Sequence, residues 1–344
     1  MKMLKHIFLC LFFLACFSSV KAAEKYKKPN SQCVYFANIT GGYNYNMNFD
    51  DIKNNTFTPV DGYYGERFLL KNVNYQNLSM ANYVSPRVKL YFQIEHLTLE
   101  KQQQLYFSDD ITENQNFDVT TREMNFYAGI NVEINKVWSV FSSVSLLNYN
   151  IEEYEGDSTL FYSYNDKYSD KFIGLALNAK TQHIDWFLSG NYLGGKEVKR
   201  YQTGADVTLY PLQQKNLYFT ASFFAINLNE SDFSTEWNNL YRFKLGRKVG
   251  KSWLEINYSK GDHKYFADAN GLVIYNTGEN IKQMAGLNFS LPLFNRHWWF
   301  SFYYRYIDYE GKTIYYDEDY IVSSSYDKYT YNNQSFTGGL SWYF

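Results

Sequence analysis

Hydrophobic and polar residues alternate along most of the chain, and this two-residue period predicts β-strands. After the N-terminal segment, no apolar stripe has the 3.6-residue period of an amphipathic helix. Turn residues divide the alternating stretches into fourteen predicted strands, at 33–49, 65–83, 87–105, 118–133, 137–155, 169–181, 184–196, 198–210, 216–230, 236–249, 252–267, 279–291, 297–311 and 331–344. The pattern therefore predicts an all-β chain.

The connections between these strands alternate in length, except for one short connection near 196–197. Short turns such as 84–86 alternate with longer polar loops such as 106–117. Short turns at one end, long loops at the other and an even strand number are typical of outer-membrane barrels. We predict a single transmembrane antiparallel up-and-down β-barrel of about 14 strands over 33–344, with no N-terminal plug domain. A soluble β-sandwich would alternate similarly, but the aromatic residues at the strand ends and the C-terminal pattern favour the barrel.

The N-terminus has the features of a secretory signal peptide. A positively charged start precedes an apolar run over 7–20, and small residues follow at the positions needed for cleavage before Ala23. We predict a signal peptide at 1–22 and a short periplasmic tail at 23–32.

Composition narrows the functional classes further. A net charge of −2 without a basic run argues against nucleic-acid binding. Three cysteines without metal-type spacing argue against a disulfide scaffold and a zinc ribbon. An aromatic content of 20% excludes a disordered chain.

The C-terminus is the most specific motif. The last predicted strand places apolar residues at alternate positions, including Leu340 and Trp342, and ends on Phe344. This pattern resembles the terminal-strand signature of bacterial outer-membrane proteins, and the resemblance implies recognition by the barrel-assembly machinery. The Tyr- and Asn-rich loops resemble those of outer-membrane proteins of the Bacteroidota. Both resemblances imply a Gram-negative outer membrane, with periplasmic termini and extracellular long loops.

Charged residues indicate which face of each strand points inward. A lipid-facing charge at the membrane centre would cost about 2–4 kcal/mol, so charged positions should face the lumen. The predicted lumen-lining residues are Lys89, Glu95, Glu123, Glu133, Arg200, Asp206, Arg242, Lys244, Glu255, Lys282 and Arg305. Acidic and basic members are predicted on opposite walls, where they could create a transverse field or pair as structural ion pairs. The strand at 216–230 is apolar on both faces and cannot be assigned.

Candidate catalytic chemistry is weak. His96 lies where outer-membrane lipases place a Ser–His pair, but no partner spacing supports that reading. The histidines are too scattered for a metal site. We predict no catalytic residues, no metal and no cofactor.

Three functions remain open. The first is a monomeric passive channel for small polar solutes, with the 312–330 loop as its gate. The second is a non-conducting barrel that acts as a scaffold in an outer-membrane complex or as a surface ligand binder, and the third is an outer-membrane enzyme. The expected partners are outer-membrane lipid, lipopolysaccharide, the assembly machinery and other outer-membrane proteins, but not nucleic acid.

Overall fold

A computed structural model describes residues 33–40, 64–106, 115–156, 161–196, 198–212, 215–230, 236–264, 266–268, 273–274, 280–293, 298–312, 314–317, 320–321 and 328–343. The predicted signal peptide and tail lie outside these residues. None of the described residues forms a helix long and apolar enough to cross a membrane.

The described residues form eighteen β-strands. Fourteen belong to the main wall: β1 (Cys33–Thr40), β2 (Tyr64–Ser85), β3 (Val88–Tyr106), β4 (Gln115–Glu133), β5 (Trp138–Gly156), β6 (Phe161–Lys180), β7 (Ile184–Gly194), β8 (Val198–Leu209), β9 (Leu217–Glu230), β10 (Glu236–Val249), β11 (Ser252–Gly261), β14 (Asn280–Leu293), β15 (Trp298–Lys312) and β18 (Lys328–Tyr343). Four are short: β12 (Ala267–Asp268), β13 (Val273–Ile274), β16 (Ile314–Asp317) and β17 (Tyr320–Ile321). The predicted all-β, fourteen-stranded antiparallel architecture is confirmed.

The wall strands pair in a continuous ring. Each pairs antiparallel with its neighbour along the chain, and β11 pairs with β14 across the segment that contains β12 and β13. β1 pairs with both β18 and β2, so each wall strand has two neighbours. At the level of β1, where the described strands close the ring, no sheet edge is left unpaired, as a membrane-spanning sheet requires.

Burial is inverted relative to a soluble protein. Along β6, Ile173 and Leu175 are 57% and 59% exposed, whereas the flanking Phe172 and Ala176 are buried. Along β4, Ile130 and Val132 are exposed, whereas Asn125 and Glu123 are buried. An apolar outer face around a partly polar interior is the arrangement that lipid requires.

The two ends of the barrel differ. Turns of a few residues join strands at one end, here called the short-turn end, and the opposite end is called the long-loop end. Both described chain ends lie at the short-turn end, where Cys33 pairs with Tyr343. Trp138 and Trp186 are exposed near that end and Trp237 is exposed near the other, as expected for aromatic girdles at two interfaces.

One side of the wall is taller. β2 to β6 have 19 to 22 residues, whereas β7 to β11 have 10 to 14. About 9–11 tilted residues cross a bilayer, so the long strands continue well beyond it at the long-loop end. At that level the side-chain amide of Gln103 on β3 hydrogen-bonds both backbone groups of Tyr154 on β5, which ties the two strands together across β4.

Candidate functional site in the barrel lumen

The inner face near the short-turn end is polar and partly accessible. Half-buried inner residues there include four of the predicted lining residues: Lys89, Glu133, Lys244 and Glu255. Glu133 accepts a hydrogen bond from Tyr83 at 3.3 Å, and Glu255 accepts one from Tyr218. Arg305 is also half-buried, on β15, next to the inner face of β14. These residues line a polar vestibule, by which we mean the lumen at the short-turn end.

Other predicted lining residues lie deeper and are packed. Glu95, Glu123 and Arg200 are 3%, 3% and 0% exposed. Glu95 accepts a 3.0 Å hydrogen bond from Gln93, and Arg200 donates one of 2.8 Å to Asn191.

Lys282 differs from its predicted position. A register shift between Ile281 and Gln283 interrupts the alternation at the top of β14. As a result, Ile281 is buried, and Lys282 is exposed, where it forms an ion pair with Glu310. A bulge inserts one extra residue into a strand without requiring a particular residue type. The sequence therefore does not show where the inward and outward positions exchange.

The described residues between β11 and β14 enter the lumen. The predicted strand at 252–267 instead ends at Gly261, and the described residues that follow are buried: His263 is 0% exposed and Phe266 2%. We call residues 262–279 the inward segment and describe only its residues 262–264, 266–268 and 273–274.

Two polar contacts join the inward segment to the barrel wall. The side-chain amide of Gln202 on β8 donates to the carbonyl of Ala267 at 2.9 Å and accepts from its N–H at 3.1 Å. Arg242 on β10 forms a 2.5 Å ion pair with Asp268 and a 3.7 Å ion pair with Asp206 on β8. Arg242, one of the predicted lining residues, therefore helps to hold the inward segment against the wall.

His263 joins the two ends of the inward segment by contacting both Gly261 and Ile281, and we call this junction the neck. Its ring Nδ1 is 2.7 Å from the carbonyl oxygen of Ile281 and 3.0 Å from that of Gly261. Its Nε2 is 2.7 Å from the hydroxyl oxygen of Ser259. The two carbonyls fix Nδ1 as the protonated nitrogen, so Nε2 accepts from Ser259. Burial lowers the pKa of His263, which favours this neutral form.

This Ser–His pair has no accessible surface for a substrate, since Ser259 is 2% exposed and His263 0%. His96, the histidine considered from the sequence, is half-buried on β3. No cluster of three or more His, Cys, Asp or Glu side chains that could hold a metal ion occurs within the described part of the chain.

Apolar residues on the inner wall receive the inward segment. Phe266 packs on Phe224, Ile226 and Leu240, with a ring-centroid distance of 4.9 Å to Phe224. A second cluster joins two residues of the segment to the walls of β5, β6 and β7, and comprises Leu147, Phe172, Leu193, Ala267 and Ile274.

These clusters explain why the strand at 216–230 could not be assigned. On β9, Phe219 and Phe223 are exposed on the outer face, whereas Thr220 and Ser222 line the lower lumen. Above them the inner face becomes apolar because it meets Phe266. In the sequence, the apolar residues on both faces of β9 were the one feature that could have indicated a segment inside the barrel.

The 312–330 loop, predicted as the gate, has a different position in its described residues. β16 pairs with the top of β2, from Tyr64 to Glu66, and takes the place beside β2 that β1 occupies lower down. The described part of this loop therefore extends the wall, and the inward segment is the one that occupies the lumen.

The C-terminal motif is partly described. Leu340 is 37% exposed on the outer face of β18, opposite Phe300 of β15. Trp342 lies within β18, opposite Trp298, and Phe344 lies outside the described residues.

The paired ring, the apolar exterior and the polar vestibule define an outer-membrane β-barrel fold. No family model matches the sequence, and no curated protein matches it. Among solved structures, a Pseudomonas aeruginosa FadL homologue is similar to this chain at 8% identity, covering 93% of this chain and 94% of its own, with a TM-score of 0.50. The P. putida toluene transporter TodX matches at 7% identity over 92% and 90%, with a TM-score of 0.53. At such identities, these neighbours show the shared barrel fold.

Proposed function

We propose that this protein is an outer-membrane channel that passes small polar solutes by diffusion and is narrowed by the inward segment. The observation that carries the proposal is the polar vestibule, whose charged residues are only half-buried on the inner face and so remain partly exposed. Fourteen strands enclose more space than their own side chains fill, which supports a water-filled volume there.

The inward segment supports a narrowing at mid-height. Buried inner residues at its level occur on strands around the ring, including Leu147, Leu193, Leu240 and Met284. Passage of a solute at that level requires movement of the segment. The charged and apolar pattern of the N-terminus further supports cleavage after residue 22. The resemblances in the sequence support periplasmic termini, extracellular long loops and insertion by the assembly machinery in a bacterium of the Bacteroidota type.

A second candidate is a non-conducting barrel that scaffolds other outer-membrane proteins. It is favoured by the Arg242–Asp268 ion pair and by the packed inward segment, because paired charges and a filled lumen are what such a barrel needs. Conduction separates the two candidates.

The test is single-channel recording in a planar bilayer at 1 M KCl, which is about seven times physiological ionic strength. We expect discrete current steps from the wild type and larger steps when residues 262–279 are replaced by an Asn-Gly turn. Replacement of 313–327 by the same Asn-Gly turn, the matched control, should leave the step size unchanged. Arg305→Glu should shift ion selectivity towards cations. Silent membranes with both the wild type and the 262–279 replacement, with insertion verified by heat-modifiable gel mobility, would reject the channel and favour the scaffold.

A further inference from the structure

Arg200 is the largest fully buried side chain of the described residues, and it is a cation. It lies on the inner face of β8 between Leu193 of β7 and Leu228 of β9, which are 0% and 4% exposed. Val198, the next inward residue on β8, is 5% exposed. The guanidinium is therefore held in mainly apolar surroundings at the level of the inward segment.

Its charge is not balanced by any carboxylate of the described residues. Its one hydrogen bond there is donated by Nη2 to the neutral amide oxygen of Asn191, at 2.8 Å. The buried Nε and Nη1 have no hydrogen-bond acceptor among the described residues.

Three described acidic residues on this part of the wall and on the inward segment form contacts elsewhere. Asp206, on the same face of β8, and Asp268 of the inward segment both pair with Arg242. Asp170 on β6 accepts a 3.0 Å hydrogen bond from the hydroxyl of Tyr149. Gln202, the next inner residue on β8, has its amide occupied by Ala267.

A buried guanidinium with unused donors is costly, because it has lost its hydration without gaining a counter-charge. Arginine cannot avoid this cost by losing its proton at neutral pH. A small anion at Nε and Nη1 would supply the missing charge and acceptors, and charge-assisted hydrogen bonds are the strongest kind available to it.

We propose that Arg200, positioned by Asn191, is a binding site for one small anion between the β7–β9 wall and the inward segment. The ligand class is a compact anion, either a halide or a carboxylate or phosphate oxyanion. The anion holds the wall and the segment together in this conformation. The site does not depend on whether the barrel conducts.

Thermal unfolding in detergent tests the site without requiring transport. The melting temperature of the folded barrel would be followed by circular dichroism in sodium chloride, acetate or phosphate at constant ionic strength. The balance would be sodium morpholinoethanesulfonate, whose anion is too bulky for a buried cleft. A ligand that binds only the folded state raises the melting temperature with its concentration. We expect on the order of 2–4 °C for each tenfold increase above the dissociation constant.

Three variants make the result specific. Arg200→Met should abolish the dependence on the preferred anion while keeping any general salt effect. Arg200→Lys, which retains the charge with fewer donors, should keep a weaker dependence and serves if Arg200→Met does not fold. Arg122→Met is the matched control, because Arg122 is an exposed cation on β4 and its removal should leave the dependence intact.

The anion that produces the largest shift identifies the ligand class. Equal responses of the wild type and the Arg200 variants to all three anions would overturn the site. If the bilayer is silent but the melting temperature still depends on the anion, the channel is rejected and the anion site is kept. If the protein conducts but its melting temperature does not depend on the anion, the anion site is rejected and the channel is kept.

Discussion

Gly261 is the residue at which the chain leaves the wall and turns into the lumen. Its φ is +129°, and a Cβ there would lie 2.1 Å from the carbonyl oxygen of Asn239. Both the conformation and the close approach require glycine, so the end of β11 depends on this one position.

Gly261→Ala is expected to displace the neck of the inward segment at a cost of about 1–3 kcal/mol, because the strained conformation and the clash cannot both be relieved locally. Chemical unfolding should show the loss. The control is Gly250→Ala, which shares a positive φ of +62° but has no atom within 4 Å of the added Cβ. A smaller loss for Gly261→Ala than for Gly250→Ala would contradict this account.

His263 makes the same neck sensitive to acid. Its pKa in the folded protein is lowered by burial, with Asp268 and Arg242 acting on it in opposite directions. The unfolded chain therefore binds a proton first as the pH falls, starting near the ordinary histidine pKa of about 6.5. The stability of the neck is complete above that pH and decreases below it.

If the protein conducts as proposed, we expect it to open more often at pH 5 than at pH 7.5, because protonated His263 can no longer accept the hydrogen bond from Ser259. The measurement is open probability in planar bilayers as a function of pH. His263→Gln should remove most of the pH dependence, and an unchanged pH profile in that variant would assign the effect to another group.

At the scale of elements, the inward segment and β9 form one packing unit. The upper inner face of β9 is apolar because it is covered by Phe266, and its lower inner face is polar because it faces the vestibule. The inner face of β9 thus has an apolar upper part and a polar lower part, because the inward segment covers only the upper part.

Phe266→Ala should remove about 3–5 kcal/mol of packing between the segment and the wall, the usual range for a buried Phe. We expect release of the segment without unfolding of the barrel, since the wall keeps its own hydrogen bonds. Hydrogen exchange of residues 262–268 should accelerate, and the single-channel steps should become larger.

The matched control is Phe223→Ala, which removes a ring that is 43% exposed on the outer face of the same strand. It should change neither readout. Protection of residues 262–268 that survives Phe266→Ala would mean that the polar contacts of Gln202 and Arg242 hold the segment alone.

At the scale of the whole molecule, the inverted burial makes the lipid part of the solvent that stabilises the fold. Leu175 is 59% exposed on the outer face of β6, within the row that also contains Ile173 and Leu177. Leu175→Arg is expected to lower the free energy of unfolding in lipid vesicles by about 2–4 kcal/mol, the cost of a lipid-facing cation near the midplane.

Asn257→Arg is the control for this substitution. Asn257 is half-buried on the inner face of β11 beside the vestibule, where water can solvate a new charge. The loss should be much smaller there. Comparable losses at the two positions would be incompatible with a lipid-facing outer surface.

The strand pattern could be predicted because its causes are local. Alternation along 118–133, 198–210 and 236–249 follows from one face in lipid and one face inside, and the structure has strands at each place. Glu123, Arg200 and Arg242 on those strands are buried on the inner face for the same reason. The sequence could not predict which inner charged residues lie in the vestibule and which are packed, because both kinds occupy the same alternating positions.

Tertiary structure alone decided where the lumen is filled. A loop of suitable length can fold inward or extend the wall, and the 312–330 loop and the inward segment have similar lengths and polarity. The choice depends on a glycine that allows a sharp turn, on a histidine that joins two carbonyls, and on apolar inner positions that lie on different strands. Those partners are far apart along the chain, from Leu147 to Ile281, and only the closed ring of strands brings them to one level. The alternating pattern determined the barrel, because lipid acts on each residue separately, whereas contacts between distant residues determined its interior.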